Sequence, residues 1–258
     1  MQSWTLITGA SEGLGVEFAR IAAREGRNLI LTARSEDKLN ALADELRGQA
    51  GDIVVIRADL NELTQAEDLW QQASAHRRID VLANNAGLGS HGDFADGQNW
   101  SREVTSINVN ITALSYLMKM AVSHMRGHGG GRIMNVASVA GFMPGPNMAV
   151  YHATKAYVLS LSEAVAEELR GSGVTVTAVC PGATATSFFD AADMHGVALL
   201  KMGHTMSARK VAEIGWAGTM KGRRVVVTGL LNKLFAFSPR LAPRWMTTFI
   251  TSKVMGKF

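Results

Sequence analysis

Cysteine is almost missing from this chain of 258 residues: Cys180 stands alone. One thiol excludes an internal disulfide and any metal site built on several cysteines. It fits a reducing, cytoplasmic setting. Proline is scarce, five residues against twenty-six glycines, which argues against long linkers and for many tight turns. No uninterrupted apolar run is long enough to span a bilayer. No cleaved leader is expected, because Trp4-Thr5-Leu6-Ile7-Thr8 runs straight into a glycine turn. Acids are missing from one end. Residues 201–258 hold eleven Lys and Arg but a single acid, Glu213, whereas residues 1–200 hold fifteen bases and twenty-one acids. The net charge of +4 therefore joins a body near about −6 to a tail near about +10. The bases form no nucleic-acid motif, so no nucleic acid is expected as a partner. Two readings of the tail stay open. One is a solvated face or oligomer contact; the other is a surface for an anionic partner, whether a membrane, an acidic carrier protein or a CoA-type substrate.

What is abundant is alternation. Short apolar, often β-branched runs predict strands at 3–8, 28–33, 53–57, 79–84, 131–137, 174–180 and 223–228. Longer helical patterns separate them, near 13–26, 36–48, 62–76, 99–126, 150–171 and 207–220. Such βαβ units predict an α/β domain: one doubly wound, seven-stranded parallel sheet with helices on both faces. Ser35 and Ser207 are expected N-caps. Residues 187–206, rich in Met and Gly, break the rhythm and read as a mobile lid over an apolar substrate. Residues 1–229 form the expected catalytic domain, with 230–258 a basic, apolar helical extension of it. In that extension Trp245, Met246, Phe249, Ile250 and Val254 share one helical face, opposite Thr247, Thr248, Thr251 and Ser252. The apolar face is expected to pack over a cleft or on a neighbouring subunit, with peripheral membrane binding as the alternative.

Four spaced signals carry the chemistry. Gly9, Gly13 and Gly15 follow the first strand, where a tight turn and a helix N-terminus can cradle a phosphate. Asn84-Asn85-Ala86-Gly87 follows the fourth strand. Ser138 follows the fifth. Tyr151 and Lys155 then share a helix face at i and i+4. Cys180 is read as inert core, and the histidines show no metal-ligand spacing.

Thr8-Gly9-Ala10-Ser11-Glu12-Gly13-Leu14-Gly15, read with the other three signals in this order, resembles the short-chain dehydrogenase/reductase family across about 230 residues. The resemblance implies a Rossmann-like fold binding NADP(H). Its cofactor residues would be Gly9, Ser11, Glu12, Gly13, Leu14 and Gly15 of the turn; Asp59 and Leu60 at the adenine; Asn85, Ala86 and Gly87; Tyr151 and Lys155; and Pro181, Gly182, Thr184 and Thr186. Ala33 stands where NAD-preferring members carry Asp, and Arg34 with Ser35 suits a 2′-phosphate, so NADP(H) is expected over NAD(H). The implied catalytic set is Asn110, Ser138, Tyr151 and Lys155. Tyr151 would act as general acid or base, its usual pKa of ~10 lowered by the Lys155 ammonium and the oxidised nicotinamide. Ser138 would donate to the developing oxyanion. Asn110, chosen over Asn108, would hold a relay water. The implied activity interconverts a ketone and a secondary alcohol on an apolar or amphipathic small molecule. A homodimer or homotetramer is expected through helices 99–126 and 150–171, which carry Leu114, Leu117, Met118, Met120, Val158, Leu159 and Leu161. An epimerase or dehydratase, and a non-catalytic NADP(H)-binding regulator, are the alternatives.

Overall fold

A computed structural model of the chain describes residues 2–186, 188–192, 194, 197 and 205–256. Strands β1 (Ser3–Thr8), β2 (Asn28–Ala33), β3 (Ile53–Arg57), β4 (Arg78–Asn84), β5 (Gly131–Val136) and β6 (Val174–Cys180) form one parallel sheet with Val225–Val227. Its order is β3-β2-β1-β4-β5-β6 followed by the Val225–Val227 strand. The expected α/β, doubly wound, seven-stranded sheet is therefore present, with boundaries within two residues of the sequence reading.

Successive residues of a strand point to opposite faces, and both faces are apolar here. Leu6, Ile30, Leu82, Ile133 and Val176 join one core; Ile7, Leu31, Val81, Ala83 and Met134 join the other. Helix α1 (Gly13–Arg24) lays Phe18, Ala19, Ala22 and Ala23 on the second core. Helix α2 (Glu36–Leu46) buries Leu39, Leu42 and Ala43 at the same spacing. Ser35 occupies the N-cap position of α2 without a capping hydrogen bond from its side chain, unlike Ser207, whose hydroxyl accepts from Lys210 N.

Helix α3 (Leu63–Ser74) covers the first face together with the long 100–127 helix. That long helix is not uniform. It comprises α4 (Trp100–Ile107), a π-helical segment Asn108–Ala113 and α5 (Leu114–Gly127). Helix α6 (Ala149–Glu168) follows β5. Leu114, Leu117, Met118, Val158 and Leu159, read above as oligomer contacts, are buried within the protomer itself. Their apolarity is accounted for by the fold.

The chain direction splits at β1 and β4, neighbours whose C-terminal ends open a crevice, as in doubly wound sheets. A two-residue parallel ladder, Thr184–Ala185 with Met206–Ser207, pins both ends of the 187–205 segment beside that crevice. Ser187, His195, Met202 and His204 lie outside the described residues.

Candidate active site

The glycine turn and the Asn-Asn-Ala-Gly loop are locked together. Thr8 Oγ1 donates to Ala83 O at 3.3 Å and accepts from Asn85 N and Ala86 N, both at 3.0 Å. Asn85 Nδ2 returns the contact, donating to Thr8 O at 2.9 Å and Gly9 O at 3.1 Å. Behind them Asn84 Nδ2 donates to Asn135 Oδ1 at 3.0 Å, and Asn135 Nδ2 to Ser162 Oγ at 2.9 Å. This buried chain ties β4 and β5 to α6. Thr8 as a hub and Asn135 escaped the sequence reading, because a single polar residue in a strand carries no local signal.

The turn fits a dinucleotide. Gly13 sits at φ +57, and a Cβ on Gly15 would stand 2.1 Å from Gly9 O. Both positions thus admit backbone and little else. The α1 N-terminus has no side-chain cap and no acid in its first turn, leaving its amide dipoles to an outside anion. Glu12 is ion-paired with Lys38. Thr186 lies opposite, its Cγ2 3.2 Å from where a Gly13 Cβ would be. Arg34 and Ser35 are exposed at the end of β2, and Arg57 Nε donates to Arg34 O at 3.2 Å, bringing a second arginine to the end of the strand. The sequence reading did not single out Arg57.

One cavity of about 830 Å³ joins these parts to the chemistry. It is lined by Ser11, Glu12, Leu14, Asp59, Leu60, Gly87, Pro181, Gly182 and Thr184 among the expected cofactor residues, and by Ser138, Tyr151 and Lys155. Ser138 caps a short 3-10 turn, accepting from Ala140 N at 3.1 Å. Lys155 Nζ donates to Val136 O at 2.7 Å and lies 5.8 Å from the Tyr151 ring centroid. A Cβ on Gly87 would stand 3.2 Å from Lys155 Nζ and 3.3 Å from Asn110 Oδ1, so the two polar groups flank one point.

The π-helical segment gives the two asparagines different surroundings. It turns Asn110 inward, fully buried, while Asn108 Nδ2 donates to Asn61 Oδ1 at 3.2 Å. Asn110 clamps the backbone of Leu88: Oδ1 accepts from Leu88 N at 2.9 Å, and Nδ2 donates to Leu88 O at 2.8 Å. Nδ2 also donates to Thr154 Oγ1 at 3.0 Å. Both amide donors are thus engaged, and Oδ1 keeps one further lone pair.

The expected fall in the Tyr151 pKa is reversed in the protein by itself. Burial pushes the phenol up to about 12, against the opposing hydrogen bond with Ser138. Burial pulls the Lys155 ammonium down to about 8. Cys180 is fully buried, its thiol pushed up to about 12, in keeping with inert core. Among the described residues no group of His, Cys, Asp and Glu could hold a metal ion.

Over Tyr151 the described part of the 187–206 segment forms an apolar roof. Met194 and Val197 are buried with Met148 and Ala192, and Phe188 lies 5.3 Å from the Tyr151 ring. The C-terminal helices form a further wall. Leu231, Asn232, Phe235, Thr251 and Met255 line the cavity. His91 Nε2 donates to Met255 O at 2.8 Å, tying the last helix to the 88–92 loop. Nothing local in the sequence marks Asn232 as part of the wall.

Residues 3–195, most of the chain, match the family described as short chain dehydrogenase. The chain belongs to the short-chain dehydrogenase family. With the family comes the coarse activity, that of an oxidoreductase. It is 38% identical over 180 residues to the ketoacyl reductase HetN of Nostoc sp., a match covering 69% of this chain and 62% of that protein. A short-chain dehydrogenase from Sphingobium yanoikuyae, solved in complex with NADPH, superposes with a TM-score of 0.82 at 31% identity, over 93% of this chain and 94% of the other. The bulky-bulky ketone specific alcohol dehydrogenase from Comamonas testosteroni superposes with a TM-score of 0.78 at 31% identity, over 92% of each chain.

Proposed function

We propose that this short-chain dehydrogenase reduces an apolar or amphipathic ketone to a secondary alcohol with NADPH. The observation that carries the reading is the enclosure of Ser138, Tyr151 and Lys155 in the same cavity as the glycine cradle, beneath Phe188 and Met194. The glycine turn, Asp59, the 85–87 loop and Thr184 to Thr186 would hold the dinucleotide, with Arg34 and Ser35 toward a 2′-phosphate. The bound cofactor would supply the hydride. Tyr151 holds its proton at neutral pH and can deliver it to the carbonyl oxygen. Ser138 orients that oxygen and stabilises its growing charge. Lys155 presents a cation next to the phenol and to Gly87. The NADPH of the Sphingobium relative and the ketone of the Comamonas relative support both halves.

The test is NADPH oxidation by the purified protein over a panel of ketones, diketones, ketoacyl thioesters and steroids, with NADH in parallel. Tyr151→Phe is expected to lower kcat at least ~100-fold with NADPH still bound. Arg34→Ala is expected to erase a preference for NADPH over NADH. Turnover surviving in Tyr151→Phe would remove the acid role, and an unchanged preference in Arg34→Ala would remove the phosphate role.

Assembly through the long 100–127 helix and α6 is proposed on resemblance together with the half-exposed Tyr157, which pairs with Ser115 of α5 at 3.0 Å on that outer face. Light scattering of wild type against Tyr157→Glu tests it: a lower mass in the variant is expected, and an unchanged mass would remove this face.

A further inference from the structure

The last helix is packed the opposite way round from its sequence. In Arg244–Met255 the threonines face the protein: Thr247 is 7% exposed and Thr251 4%. Their hydroxyls bond back to the helix itself, Thr247 Oγ1 to Arg244 O and Thr251 Oγ1 to Thr247 O, each at 2.8 Å. The large apolar side chains face out, with Trp245 72% exposed and Phe249 59%. The preceding helix, Leu230–Phe237, repeats the pattern: Ala236 is its buried residue, and Leu234 is 66% exposed. Leu241 lies between the two helices, 77% exposed. Scattered exposed leucines need no explanation, but contiguous apolar side chains on adjoining helices do.

Charge separates the candidate occupants. Lys233, Arg240, Arg244 and Lys253 are all exposed around these side chains, and residues 230–258 contain no acid. Arg244 opens its helix, where a positive side chain opposes the helix dipole and no acid compensates it. Its charge therefore works against the helix that carries it. Bases ringing Leu, Phe and Trp on a helical surface match an interfacial, anionic bilayer. No helix among the described residues is long and apolar enough to cross one.

The cavity supplies the second observation. Leu230, Leu231, Phe235 and Ile250 line the cavity and are themselves exposed, so its mouth opens through the apolar surface. A protein partner seated there would cover the mouth. Fluid lipid would continue it.

We infer that the C-terminal helices dock this dehydrogenase on an anionic membrane surface and that its ketone enters from the lipid phase. The docking stands on the surface alone; the entry of a ketone rests on the function proposed above.

Co-sedimentation of the full chain with phosphatidylcholine vesicles, with and without phosphatidylserine, tests the docking without turnover. Binding is expected to phosphatidylserine vesicles and to weaken at least ~10-fold in Arg240→Glu/Arg244→Glu, at about 1 kcal/mol per base. Leu241→Ser/Trp245→Ser is expected to weaken it comparably. None of these four residues lines the cavity, so turnover of a water-soluble ketone should be unchanged in both variants. Turnover of a vesicle-dissolved ketone should rise with phosphatidylserine in the wild type only. Three results would overturn the docking: no vesicle binding; vesicle binding indifferent to both double variants; or self-association lost in Leu241→Ser/Trp245→Ser in place of vesicle binding. Retention of an acidic carrier protein without vesicle binding would overturn it equally. Vesicle binding without stimulated turnover would remove lipid-phase entry and keep the docking. Failure on every ketone would remove the proposed reduction while leaving the co-sedimentation result intact.

Discussion

Burial and the Ser138 hydrogen bond pull the Tyr151 phenol in opposite directions, and burial wins in the protein alone. The phenol near 12 is a proton donor throughout the neutral range, while the Lys155 ammonium near 8 is the group that titrates within reach of assay. Lys155 is lowered, so its charge is present below about 8 and lost as pH rises through that value. Reductive kcat/KM is therefore expected to be level from pH 6 to 7 and to descend above about 8, approaching tenfold per unit. A pH–rate profile level to pH 10 would contradict this. Thr8 acts by geometry. Thr8→Val keeps its shape but leaves the Asn85 and Ala86 amides without their acceptor, at a cost of roughly 2–3 kcal/mol. Urea unfolding should show that loss, with dinucleotide affinity falling too because the glycine turn loses its tie to β4. The motif residues themselves were legible in the sequence, since spacing and chain order sufficed. The Thr8 hub and Asn135 were not, because their partners lie on other strands.

At the scale of elements, the π-helical segment is the feature that regular periodicity could not supply. A straight α-helix through 99–126 leaves Asn108 and Asn110 as rivals. The extra turn residue at Asn108–Ala113 rotates Asn110 under Leu88 and Asn108 toward Asn61. Asn110→Ala should cost about 2–3 kcal/mol through the freed Leu88 groups and lower kcat strongly. Asn108→Ala should stay within about 0.5 kcal/mol and near wild-type turnover, as for a surface change. Paired thermal melts and kinetics on both variants check it; equal losses in the two would remove the distinction. The strands were readable because they are short β-branched runs buried on both faces. The orientation of the last helix was not. A helical period separates a Trp/Phe face from a Thr face, and it says nothing of which face meets the protein.

For the whole molecule, stability should fall on mild acidification. His124 sits under β4, its Nε2 accepting from Ile79 N at 3.1 Å, and His152 lies buried with Nδ1 donating to Met143 O at 2.8 Å. Burial lowers the pKa of both. The unfolded chain then takes up protons first as pH falls below ~6.5, so folding stability present above that value is lost toward pH 5. Thermal melts from pH 7.5 to 5 should show a declining Tm. The decline should be shallower in His124→Gln, whose amide oxygen can take the same N–H. An equal decline in that variant would exclude His124 as a source.

The seven-stranded parallel sheet and the glycine cradle were determined by the sequence, because each follows from local pattern: β-branched runs, turn chemistry and the order of motifs along the chain. Three matters were decided only in the tertiary structure: the upward direction of the Tyr151 pKa, the clamp of Asn110 on Leu88, and the outward apolar face around the cavity mouth. Each depends on which distant segments meet at one point. Burial sums over neighbours drawn from many parts of the chain, so it takes its value only once they are assembled.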